Sequence, residues 1–89
     1  MRTYTWAEDQ PAGVKWLGFQ IQRSSFRFKK VKDGSPAELA GIQNDDLCLQ
    51  VNGYLVANLD VEELCKHMES RPLTITWLRH QHIRKPAQP

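Results

Sequence analysis

"VKWLGFQIQ", residues 14–22, decides how the rest of the chain reads. Leu17, Phe19 and Ile21 alternate with Gly18, Gln20 and Gln22, the period of two that marks a strand buried on one face. The run predicts a strand from Val14 to about Arg23. A glycine inside such a strand packs nothing and weakens it, so Gly18 needs a reason. Either it bends the strand, or it lets main chain come close to something that a side chain would keep away.

Outward from that strand the pieces alternate in type. "RTYTW" (2–6), rich in threonine and aromatic residues, predicts a short first strand, and "EDQPAG" (8–13) is turn-forming punctuation. After "RSS" (23–25), "FRFKKV" (26–31) returns as a hairpin partner. Ser35 caps a short helix in "SPAELAG" (35–41), with Pro36 at its first position and Glu38 at its third. "DLCLQV" (46–51) is another strand, "NG" a tight turn, and "YLV" (54–56) a short strand after it. Asp60 and Glu63 form a capping box for the one long helix, "DVEELCKHME" (60–69), whose apolar residues Val61, Leu64, Cys65 and Met68 share a face. "PLTITWL" (72–78) alternates again. The predicted fold is α+β: a small, partly open antiparallel β-barrel of about six strands, capped by two helices.

Composition bounds the function. Eighty-nine residues make one domain. A net charge of +2 is too small to argue for nucleic acid, so any electrostatic partner must be sought in local patches. No run approaches the roughly 18 apolar residues of a spanning helix, and "MRTYTWAEDQ" lacks the apolar segment of a signal peptide. Only Cys48 and Cys65 are present, so a reducing, cytoplasmic setting is expected, the membrane cortex or cytoskeleton included. Residues 80–89 read as a tail or linker, as in a module taken from a longer chain, although Met1 leaves that open.

The order of these pieces resembles the PDZ family. "WLGF" (16–19) is similar to that family's carboxylate-binding loop, usually Gly-Leu-Gly-Phe, with Trp16 replacing the first glycine. "VKDGSPAELAGIQNDDLCLQVNG" (31–53) is similar to its central block, with Asp45 where a glycine usually precedes Asp46. Aspartate tolerates left-handed backbone better than most residues, which keeps that turn. "LDVEELCKHMESRPLTITWL" (59–78) falls where the family has its second helix and last strand. The resemblance covers residues 3–79.

It implies a non-catalytic module of a scaffold or adaptor protein. Such a module takes the C-terminal tail of another protein as an added strand, between the second strand and the second helix. Amides of Leu17, Gly18 and Phe19 would converge on the terminal carboxylate. Lys15 would reach it directly or through water, or else be a solvated lysine, and Trp16 would wall or crowd the pocket. Leu17, Phe19 and Ile21, with Met68, would line a pocket for the last ligand residue, Met68 lending it flexibility. Gln20 and Gln22 would point to the other side, while the backbone from Phe19 to Gln22 supplies the edge. Val61, the first helical residue, would face the third-from-last ligand residue with no hydrogen-bonding group, and Cys65 would sit beside it as a small filler. Both ligand positions should therefore be apolar, the preference called class II. Arg23 and Lys29 either belong to a solvated charged face or meet acidic ligand residues upstream.

Cys65 and His67 lie two apart on a helix, on different sides, and no Ser-His-Asp pattern exists, so an enzyme is not expected. Lys29, Lys30 and Lys32, with Trp16 as an interfacial aromatic, would suit weak contact with an anionic membrane. His80 and His82 lack partners for a metal site; neither metal nor cofactor is expected. Self-association through an open edge and internal rather than terminal peptides remain alternatives, with a monomer favoured over an oligomer.

Overall fold

The computed structural model describes residues 1–79; the tail at 80–89, with His80 and His82, lies outside the described residues. The elements are β1 (Arg2–Trp6), α1 (Val14–Leu17), β2 (Gln20–Gln22), β3 (Arg27–Lys29), α2 (Pro36–Leu39), β4 (Leu47–Val51), β5 (Tyr54–Leu55), α3 (Val61–Glu69) and β6 (Leu73–Leu78). A 3₁₀ turn at Val56–Asn58 follows β5. All six strands join one antiparallel sheet in the order β1-β6-β4-β3-β2, with β5 paired to β4. This is the α+β, open-barrel architecture expected from the residues.

The central strand is β4, which pairs with β3, β5 and β6; alternation is clearest in its neighbour β6. Leu73, Ile75 and Trp77 are buried, while Thr74 and Thr76 face β1. Thr3 and Thr76 join hydroxyls at 3.1 Å, and Thr5 and Thr74 at 2.8 Å, the cross-strand pairing that stabilises an antiparallel face. Below lies one core: Trp6, Leu17, Phe19, Phe28, Ile42, Val51 and Met68 pack with the β6 residues.

The helices start as their caps dictate. Ser35 Oγ accepts from the Glu38 amide at 3.2 Å to open α2. At α3 the capping box is reciprocal: Asp60 Oδ1 accepts from the Glu63 amide at 2.8 Å and Glu63 Oε1 from the Asp60 amide at 3.0 Å. The far end of α3 is held by Asn52, which occupies the left-handed region at φ +52° in the turn after β4. Its Oδ1 accepts from the Thr74 amide at 2.9 Å, and its Nδ2 reaches His67 Nδ1 at 3.1 Å and Ser70 Oγ at 3.2 Å. Asp45 also takes left-handed backbone, at φ +73°, as its replacement of a glycine requires.

Two expectations are corrected. The strand predicted from Val14 to Arg23 is confined to Gln20–Gln22, because Val14–Leu17 form a single helical turn between Gly13 at φ +101° and Gly18 at φ +88°. A glycine in the left-handed region is a common helix stop. Among the described residues there are thus three α-helices rather than two, and the predicted strand "YLV" gives up Val56 to the 3₁₀ turn.

Candidate functional site

Helix α3 and strand β2 flank a groove. From β2 and its approach come Phe19 and Ile21, and from α3 Val61, Leu64, Cys65 and Met68. Val14 and Arg23 complete a pocket of about 190 Å³. Phe19 and Met68 form a buried floor, while Val61 is 41% exposed. That volume is below the roughly 300–1,000 Å³ of small-molecule sites; it has room for one apolar side chain. Toward the N-terminus of α3 the groove widens into a second space of about 520 Å³, where Phe26, Leu59 and Asp60 join Ile21, Arg23, Val61 and Leu64.

Beside this groove, among the described residues, β2 pairs only with β3, in the register Gln20↔Lys29, Ile21↔Phe28, Gln22↔Arg27, and its other edge is unpaired. An open edge beside an uncovered apolar helix face is the geometry that accepts an added strand.

The two glycine readings can now be separated. A Cβ on Gly18 would stand 2.4 Å from Ser35 Cβ and 2.9 Å from Ser35 Oγ. Gly18 is required by its backbone conformation and by the tight approach of α2, before any ligand is considered. The Gly18 carbonyl accepts from the Lys32 amide at 2.9 Å, which ties the loop to the segment before α2. The expected convergence of three loop amides is also altered. The Gly18 amide donates to Val14 O at 2.9 Å and the Leu17 amide to Gly13 O at 3.4 Å, both inside the helical turn.

Other expected site residues are distributed as follows. Leu17 is fully buried in the core and does not line the pocket; the helical turn points it beneath the groove. Trp16 does not wall the pocket either. It packs on the core with the Arg71 guanidinium 5.8 Å from its ring centre. Arg71 Nη1 donates to Met68 O at 2.8 Å and Ser70 O at 2.6 Å, so this side chain joins the end of α3 to Trp16 of α1. Burial lowers its pKa from the usual arginine value. Gln20 and Gln22 are exposed and border a separate depression on the far side of β2, with Lys29, Lys30 and Asp45. Lys29 pairs with Asp45 there, away from the groove. Arg23 remains on the groove wall and lines the wider space together with Asp60. Lys15 borders a third depression, beside Gly18.

Val14, Leu64, Phe26 and Leu59 were not singled out as site residues. Leu64 had a signal, three positions beyond Val61 on the same helical face. Phe26 had none, because its place depends on left-handed backbone at φ +58°, rare for an aromatic residue.

Residues 27–79 match the family model of the PDZ domain. The chain belongs to the PDZ family. The match begins at β3, so it includes the α3 wall of the groove, while the loop and β2 wall rest on the geometry above. As a PDZ domain the chain is a protein-interaction module, of a kind that is generally non-catalytic.

Proposed function

We propose that this PDZ domain binds short C-terminal peptides, without catalysis, as an added strand along β2, with apolar residues at the last and third-from-last ligand positions. The observation that carries this reading is the apolar face of α3 left uncovered beside the unpaired edge of β2. The last residue enters the pocket over Phe19 and Met68, and the third-from-last meets Val61 and Leu64 in the wider part of the groove. Burying apolar atoms there contributes about 0.8 kcal/mol per CH₂. A ligand hydroxyl would lose water against Val61 and find no partner on that side chain.

A library of peptides with free C-termini, screened beside amidated controls, tests this. Valine, leucine or isoleucine should be selected at both positions, with affinities of about micromolar, or roughly 8 kcal/mol. Val61→His should shift the third-from-last choice toward serine or threonine, because imidazole supplies a hydrogen-bond partner. Selection of serine or threonine by the wild type would overturn the assignment to Val61.

A further inference from the structure

The sheet has a second open edge, at the opposite end of its strand order from β2. Among the described residues β1 pairs only with β6. Which of its main-chain groups face outward follows from β6. Thr74 turns its main chain toward the β4 side, where its amide donates to Asn52 Oδ1 at 2.9 Å and its carbonyl accepts from the Asn52 amide at 2.7 Å. Alternation then turns the main chain of Leu73, Ile75 and Trp77 toward β1, where they meet Trp6, Tyr4 and Arg2. Thr3 and Thr5 are left with amides and carbonyls that point away from the sheet. The short hydroxyl contacts of Thr3 with Thr76 and of Thr5 with Thr74 agree with this phase, because side chains approach most closely at pairs without main-chain bonds. Ala7, the next outward residue, is closed within its own turn. Its amide donates to Gln10 Oε1 at 3.0 Å, and its carbonyl accepts from the Gln10 amide at 3.1 Å.

This edge is complementary to itself. Turned antiparallel about Tyr4, a second β1 sets Thr3 against Thr5 of the other copy and Thr5 against its Thr3. Each of these pairs exchanges both main-chain hydrogen bonds. Centring on Thr3 or Thr5 instead leaves one threonine facing Met1, outside the strand, or the engaged Ala7. In the Tyr4 register the side chains fit as well. Tyr4, 43% exposed, meets its own copy across the two-fold axis. That joins the Tyr4–Trp6 contact, 4.8 Å between ring centres, to its equivalent. Arg2 falls opposite Trp6 of the second copy, which keeps the two Arg2 side chains about 14 Å apart along the strands. The strand carries no proline or lysine of the kind that blunts an exposed edge. We propose that the protein self-associates through β1 as a two-fold symmetric dimer in the Tyr4-centred register, against the monomer expected from the residues alone. Such a pair closes on itself and recruits no third copy. It goes beyond the groove reading and does not rest on it, since β2 lies at the other end of the strand order and keeps its edge.

Analytical ultracentrifugation of the full chain from about 10 μM to about 1 mM tests this, the range in which small interfaces dissociate. The mass should rise with concentration toward that of two chains and no further. Tyr4→Lys opposes two ammonium groups across the axis and should weaken the dimer at least about tenfold. Thr5→Pro removes an amide that bonds nothing within the chain and should weaken it likewise. Circular dichroism verifies the fold of each variant, and Tyr4→Lys, at an exposed side chain, decides the matter if the proline is not accommodated. Tyr54→Lys, on β5 and 57% exposed, should leave the dimer unchanged. A chemical cross-link reads the register. In a Cys65→Ser background, oxidised glutathione should link Tyr4→Cys chains in pairs and leave Thr3→Cys chains unlinked, because only residue 4 lies within disulfide reach of its own copy. A monomer throughout the concentration range overturns the proposal. So does a dimer that persists in both Tyr4→Lys and Thr5→Pro, which moves the contact elsewhere, the open edge of β2 included. Linkage through Thr3→Cys rather than Tyr4→Cys overturns the register and the hydrogen-bond argument with it.

Discussion

Gly18 shows how much one hydrogen atom in place of a methyl can decide. Gly18→Ala combines a strained left-handed backbone with a contact 2.4 Å from Ser35 Cβ, costs of about 1–2 and 1–3 kcal/mol respectively. We expect a loss of about 2–5 kcal/mol in urea unfolding. Adding Ser35→Gly should restore the steric part and leave the backbone part, since glycine replaces a serine cap at a cost of only a few tenths. Full restoration would show that φ carries no strain. Cys48 makes a second prediction at this scale. It is 1% exposed, and burial pushes its thiol up from 9.0 to about 12. The folded state therefore favours the neutral thiol. The stability this represents is fully present below pH 9 and is lost between pH 9 and about 12, as the unfolded chain ionises first. The slope for this one group approaches about 1.4 kcal/mol per pH unit. Cys48→Ala should flatten the alkaline limb of a stability–pH curve, and an unchanged limb would contradict it.

At the scale of elements, α3 was legible because its signals are local and redundant: Asp60, Glu63 and four apolar residues on one face agree with one another. Its capping hydrogen bonds start and end the helix where the residues announce it. The segment before β2 was not legible, for a physical reason. Leu17 and Phe19 are both buried, which alternation anticipates, yet a helical turn ending at Gly18 buries them as well as a strand would. Period alone cannot separate the two. The same limit applied to the site. The structure brings Ile21, Val61, Cys65 and Met68 to one groove, whereas Leu17, Trp16 and Lys29 lie outside it, because their directions depend on left-handed turns and on Asp45, which comes from the approach to β4. Asp60→Ala is the element-scale test. It should lower stability by about 1 kcal/mol and fray the turn that presents Val61. Selectivity at the third-from-last ligand position should then weaken more than at the last, where Met68 lies two turns away. Equal loss at both positions would show that the cap acts on the whole helix.

For the whole molecule, the portion that matches the PDZ family model should not fold on its own. Residues 27–79 omit β1, α1 and β2, and with them Trp6, Leu17 and Phe19 from the one core. A fragment of that length should show no cooperative thermal transition and poor amide dispersion by NMR, because small domains bury too little surface to spare three large side chains. A sharp transition would mean that β6 and β4 hold the fold without their neighbours. The two thiols carry a further consequence. Cys48 is sealed inside the sheet, and Cys65 stands exposed on the wall of the groove. A small alkylating reagent would therefore label the chain in two steps with separate meanings. The first adduct, on Cys65, forms at a rate set by how often the groove is empty; the second, on Cys48, forms only in molecules that have opened. Counting singly and doubly labelled chains by mass would measure occupancy and unfolding in one sample, with no dye or tag attached.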